Sequence, residues 1–141
     1  MGRLIIPDEL FDEMVSHARS CLPDEACGML GGIAGKVRKL YALDNADPSP
    51  ATYVIDPLDQ LRAIRDMESG GLELLGIYHS HPDSPPLPSI TDINRAFFPG
   101  SRELNYPGVA YVIVGLSGPA PEVKAFRIEE KGVVPVEIVR H

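Results

Sequence analysis

Apolar and polar positions change period several times along the chain, and each change marks an element. Leu4, Ile5 and Ile6 form a short apolar run that reads as a strand. Pro7 then stands where a helix favours its first residue, and Asp8 and Glu9 suit the positive end of a helix dipole. Leu10, Phe11, Met14, Ala18 and Cys21 fall near helical spacing, so this helix is expected to reach about Leu22. "ACGMLGGIAGKVRKLYALDN" reads as two strands joined at Ala34-Gly35-Lys36. "TYVID" is a further strand expectation. Asp56 next supplies an N-cap and Pro57 a first-turn proline, and Leu58, Leu61 and Ile64 give the apolar stripe of a helix ending near "SGG". "LELLGIYHS" and "GVAYVIVGL" are nearly all apolar, as central strands buried on both faces should be. Between them Ser89 opens a short helix. Phe126 and Ile128 alternate with Arg127 and Glu129, and "VVPVEIV" closes the chain, Pro135 pointing to an edge strand.

Helices interleaved with strands and hairpins place the chain in the α/β class, with a mixed sheet and one domain over residues 1–141. A composition 44% apolar and 23% charged is that of an ordinary globular protein. The net charge of -7 argues against a nucleic-acid partner, because phosphate binding needs clustered Lys and Arg. The one short basic run, "KVRKL" at Lys36 to Leu40, reads as the solvated side of a strand. No stretch approaches a membrane span. "MGRLIIPDEL" turns acidic too soon for a secretory signal, and Ile6 stands where a myristoylation motif needs Ser or Thr. Cys21 and Cys27 are too few for a disulfide framework, so a reducing, cytoplasmic setting is expected.

Two of the chain's four histidines lie one residue apart, in "GIYHSHPDSPPLPSITDINRAF". Strand alternation puts His79 and His81 on one face, where two imidazoles can reach one cation. Hydrolytic zinc sites usually take three protein ligands and leave a position for water. His17, among polar neighbours, reads as a surface residue, and His141 as a frayed end. A carboxylate is then the third ligand, with Asp92 the candidate; Asp83, between Pro82 and Pro85, reads as a turn residue. "SITD" also matches a capping box, which would fix a helix start at Ser89 and let Asp92 face the histidine strand. Prolines 82, 85, 86 and 88 stiffen the connection. Glu25, one acid among 20, reads by itself as an exposed turn residue.

Taken together these segments resemble the JAMM metalloprotease family, the catalytically competent MPN domain. Its pattern is an upstream glutamate, His-[Ser/Thr]-His-Pro, a spacer, then Ser-x-x-Asp. Here that is Glu25, "HSHP" at His79 to Pro82, residues 82 through 88 as the spacer, Ser89, "IT" and Asp92. The likeness extends over most of the chain and implies a cytidine-deaminase-like sandwich, its mixed central sheet flanked by helices. It implies that His79, His81 and Asp92 bind one Zn2+, that Glu25 activates the water in the fourth position, and that Ser89 donates to the developing oxyanion. Family members cleave the amide after the C-terminal tail of ubiquitin-like proteins. The compact length and "EACGMLGG" resemble prokaryotic members that process ubiquitin-like sulfur carriers with Gly-Gly tails. Such a tail would bind extended, pairing with an exposed strand beside the metal.

Rival patterns fail on particular residues. The His-x-His-x-Asp-His motif of metallo-β-lactamase-like hydrolases meets Ser84 at its last position, and a zinc deaminase needs a Cys-x-x-Cys pair that this chain lacks. A non-catalytic MPN-type scaffold, binding partners without chemistry, is the alternative function. Whether Cys27 touches the metal or is a small buried apolar residue is open at this level, and so is a homodimer.

Overall fold

A computed structural model describes residues 2–141. The elements run β1 (Arg3–Ile6), α1 (Asp8–Ser20), β2 (Cys27–Ile33), β3 (Lys36–Leu43), α2 (Pro57–Ser69), β4 (Glu73–His81), α3 (Ile90–Arg95), β5 (Ala110–Gly115), β6 (Glu122–Glu129) and β7 (Gly132–Arg140). The expected mixed sheet with flanking helices is what forms. Its strands follow the order β1-β3-β2-β4-β5-β6-β7 and close into a barrel. Closure runs through β1, which pairs in parallel with β7 from Arg3 to Ile6 but meets β3 only at Ile5 opposite Lys36. The sandwich expectation does not include this closure.

Local chemistry explains most element boundaries. Ala34 and Gly35 both adopt positive φ, 52° and 77°, the twist a tight β2–β3 hairpin needs. Asp56 caps α2 by accepting from the N–H groups of Leu58 and Asp59, and Pro57 occupies the first turn. Pro7 serves as the N-cap of α1 rather than its first residue, and the helix stops at Ser20, short of Leu22.

The sheet buries both of its faces. Under α1 lie Leu4, Ile6, Met14, Ala18, Leu30, Tyr78, Val112 and Val114. Under α2 and the segment after α3 lie Met29, Ala63, Met67, Ile77, Ala96 and Tyr111. β4 therefore alternates between two cores: Tyr78 points to the first and Ile77 to the second, and His79 and His81 continue the face of Ile77. Gly28 is required on the neighbouring strand, since a methyl there would lie 2.2 Å from the Tyr78 ring.

Four expectations are corrected. "TYVID" makes one isolated bridge, Asn45 to Ile55, and no strand, because Tyr53 O and Val54 N–H are bonded to the side chains of Arg95 and Asn45. β7 is interior to the closed order, although Pro135 lies in the half paired with β6 alone, where its missing N–H leaves no gap in a second ladder. His141 is not frayed: its N–H donates to Ile6 O and its carbonyl accepts from Asp8 N–H. His17 is half-buried on α1 and shares a 2.6 Å hydrogen bond with the Tyr78 hydroxyl across the first core.

Candidate metal centre

β4 ends in His79-Ser80-His81, and the two imidazoles are 1% and 4% exposed. The proline-rich connection then leads to α3, where Ser89 and Asp92 form a reciprocal cap. The Ser89 hydroxyl accepts from Asp92 N–H at 3.0 Å, and Ser89 N–H donates to Asp92 Oδ2 at 2.9 Å. A serine hydroxyl that accepts still has its proton to donate. The same Oδ2 lies 3.2 Å from His79 Nε2 and 3.1 Å from His81 Nε2, and the two nitrogens are 3.1 Å apart. Among the described residues, the His, Cys, Asp and Glu ligand atoms that gather within 4.8 Å of one another are those of His79, His81 and Asp92.

The loop between the histidines and α3 fixes a tautomer. His81 Nδ1 donates to the Pro85 carbonyl at 2.8 Å, so in the neutral ring Nε2 carries the lone pair. Pro86 packs onto Gly115 of β5, where a methyl would come within 2.9 Å of the proline ring. His79 is held differently: the ring of Tyr53 stacks on it, centroids 4.7 Å apart and planes at 23°.

Glu25 lies just ahead of β2 and is 3% exposed, not the exposed turn residue its surroundings in sequence suggest. Ser80, between the histidines, brackets the next residue: its hydroxyl accepts from Ala26 N–H at 2.8 Å, and its N–H donates to Ala26 O at 3.1 Å. Glu25 N–H donates to Ser49 O at 2.8 Å. Its Oε1 is buried without a hydrogen-bond partner. Burial pushes the Glu25 carboxyl up to about 7; His81 and Arg95 pull it down to a smaller extent, and Asp92 adds to the rise.

The cluster polarises its own members. Burial alone would raise Asp92, but its contacts with His79 and His81 hold it well below the usual carboxylate range. Burial lowers His79. It also pulls His81 down, yet the Asp92 hydrogen bond and the Pro85 carbonyl outweigh it and leave His81 above its ordinary value. The raised value has a simple origin: a proton on His81 relieves lone-pair repulsion among three electron-rich atoms. A cation at their centre would do the same. Zinc bonds of about 2.0–2.1 Å in a tetrahedron set ligand atoms roughly 3.3 Å apart. The 3.1–3.2 Å triangle fits that demand.

Cys27 stands opposite His79 in the β2–β4 register but outside the triangle. Its thiol donates to Asp44 O at 3.5 Å, and burial pushes it up to about 12, so it stays protonated. The expected exposed strand edge does not belong to the strand that carries the histidines or to its two neighbours. β2, β4 and β5 are each hydrogen-bonded on both sides, and the open edge belongs to β3 beyond Lys36. Sequence reasoning overlooked Tyr53, Ser80 and Arg95, whose guanidinium donates to Tyr53 O. Ser80 sat inside the histidine motif and was recoverable from strand alternation, which turns it away from the imidazoles toward the β2 side.

Comparison with known proteins agrees with this geometry. Residues 7–129 match the family model of prokaryotic homologues of the JAB domain. A probable TtuB-protein conjugate cleaving protease of Thermus thermophilus is 39% identical over 128 residues, covering 90% of this chain and 77% of that protein. A CysO-cysteine peptidase of Mycobacterium tuberculosis is 36% identical over 141 residues, covering 96% and 91%. A Desulfitobacterium hafniense protein solved in solution superposes with a TM-score of 0.84 at 38% identity, covering 98% of this chain and 92% of that one. The chain belongs to the JAMM/MPN family, among its prokaryotic JAB-domain members.

Proposed function

We propose that the chain is a zinc-dependent peptidase that hydrolyses the amide or isopeptide bond after the Gly-Gly tail of a ubiquitin-like or sulfur-carrier protein. The observation that carries this reading is the convergence of His79, His81 and Asp92 on one point beside a buried, unpaired Glu25. Relatives named for cleaving a TtuB conjugate and a CysO-cysteine adduct supply the substrate class. In this reading His79 Nε2, His81 Nε2 and Asp92 Oδ2 hold the ion. Bound Zn2+ supplies Lewis acidity and lowers the pKa of water toward about 7.

The remaining work belongs to side chains. Glu25 takes a proton as the nucleophile attacks and returns it to the leaving nitrogen, a task suited to a carboxyl raised to about 7. Ser89 keeps its hydroxyl proton for the oxyanion, since its cap uses only an acceptor lone pair. Tyr53 and the Pro85 carbonyl keep the two imidazoles from rotating. The cytidine-deaminase-like sandwich goes with this reading as its structural frame. A scaffold would have no use for an unpaired carboxylate buried beside a ligand triangle.

The test incubates the chain with Gly-Gly-tailed ubiquitin-like proteins carrying either a C-terminal cysteine or a lysine-linked partner, with and without chelator. Mass spectrometry should show a single cut after the second glycine that the chelator abolishes. No cut in zinc-loaded samples, or a cut the chelator leaves untouched, rejects the reading.

A further inference from the structure

Glu25 reaches its place without a strand to hold it. β2 begins at Cys27, so the glutamate sits two residues outside the ladder. Its carbonyl accepts from Nδ2 of Asn45 at 3.2 Å. The same Nδ2 donates to Thr52 O at 3.0 Å, while Asn45 Oδ1 accepts from the N–H groups of Asp47 at 3.1 Å and Val54 at 3.0 Å. A carboxamide has two N–H donors and two acceptor lone pairs, and here all four are used. Two carbonyls face one end and two N–H groups the other, so only one orientation of the amide satisfies the site.

An ordinary Asx turn would need only the contact to Asp47. The other three bonds reach further. They tie the Glu25 backbone, 20 residues away, to both residues that flank Tyr53, the ring stacked on His79. The same residue pinches the neck of segment 45–56, where it bridges Ile55 and Ala46 N–H donates to Val54 O at 2.7 Å. One side chain thus joins the two stretches that flank the ligand triangle, and none of the triangle's own atoms touches it.

We propose that Asn45 is a positioning residue for the hydrolysis, a clasp that fixes the Glu25 carboxylate and the Tyr53 ring relative to the histidine pair. The inference rests on the peptidase reading of the site. Without the clasp, Glu25 keeps its bond to Ser49 and its neighbour's bonds to Ser80, so it stays near but loses its register. Misplacing a catalytic group by about 1 Å can cost ~100-fold in rate. The ion, held by other atoms, should remain.

The experiment uses the zinc-loaded full chain and a Gly-Gly-tailed ubiquitin-like protein with a C-terminal cysteine. Asn45→Ala removes all four bonds. Asn45→Asp keeps both acceptor bonds but turns a carboxylate oxygen toward the Glu25 and Thr52 carbonyls. Both are expected to lower kcat per zinc-loaded chain roughly 30–100-fold, with KM within about twofold and zinc content unchanged. A purely structural role would lower the thermal midpoint yet leave kcat per folded, zinc-loaded chain intact. Amide exchange gives a readout free of turnover: in Asn45→Ala the Asp47 and Val54 amides, which donate to Asn45 Oδ1, should exchange at least ~10-fold faster while β4 and β5 hold. A kcat within about twofold of wild type in both variants, or unchanged exchange at Val54, overturns the proposal. If the wild-type chain cleaves no substrate, the peptidase reading has failed, and the exchange measurement still decides whether Asn45 holds the segment that carries Tyr53.

Discussion

At Glu25 the chain keeps a carboxylate 3% exposed with one oxygen unpartnered, and that is costly unless the group is used. Glu25→Gln should keep zinc and lose ~10²–10⁴ in kcat, as expected for a general base, with metal content and turnover measured on the same sample. His79→Ala should lose the metal as well. The metal-free protein provides a second check. A carboxyl raised from 4.5 to about 7 by burial stabilises the fold below its unfolded value, and that contribution is lost as pH rises toward 7. Thermal midpoints of metal-free Glu25→Gln should therefore gain on wild type between pH 5 and pH 8. His81 works in the opposite sense on the metal. Its raised pKa means that a proton competes with the cation from above the ordinary value, so zinc affinity should fall as pH drops from 8 to 6. Competition titrations with a chromogenic chelator would show this, and a flat profile would contradict the assignment of His81 as a ligand. His79, His81, Ser89 and Asp92 could be read from sequence because their spacing is local to one strand, one rigid loop and one helix cap. Asn45 and Tyr53 could not, because "DNADPSPATY" has the composition of any loop and their contacts reach 20 or more residues away.

Among the elements, α3 is the one least able to stand alone. It has six residues and none of them is buried, far below the length at which a helix persists unaided. Its capping box and the Asp92 link to β4 hold it in place. Chelation should therefore raise amide exchange across residues 85–96 while β4 and β5 stay protected, and equal protection with and without metal would refute the tether. Gly115 supports the same region from below. Gly115→Ala would drive a methyl to within 2.9 Å of Pro86 and displace the loop that supplies the Pro85 carbonyl to His81. A cost of about 1–3 kcal/mol in stability is expected, with weakened zinc binding, both read by calorimetry. The helices and most strands followed from periodicity and caps, since Asp56-Pro57, Ser89 and Ala34-Gly35 are local instructions. "TYVID" failed as a strand because side chains take its backbone groups: the Arg95 guanidinium donates to Tyr53 O and Val54 N–H donates to Asn45 Oδ1. Pro135 misled for another reason: edge character belongs to part of a strand, and only half of β7 has it.

For the whole molecule, closure through β1 is the feature that hydrophobic patterning could not supply, because a four-residue strand gives no sign of how many partners it takes. Metal binding should register globally: free zinc at 100-fold its dissociation constant adds about 2.7 kcal/mol, seen as a rise of the thermal midpoint over the chelated sample. The pairing of β2, β4 and β5 on both sides has a further outcome. Neither ladder edge of those three strands is free to take up a further strand. Segment 45–56 is itself tied to the centre, since Tyr53 stacks on His79 and Asn45 holds the Glu25 carbonyl.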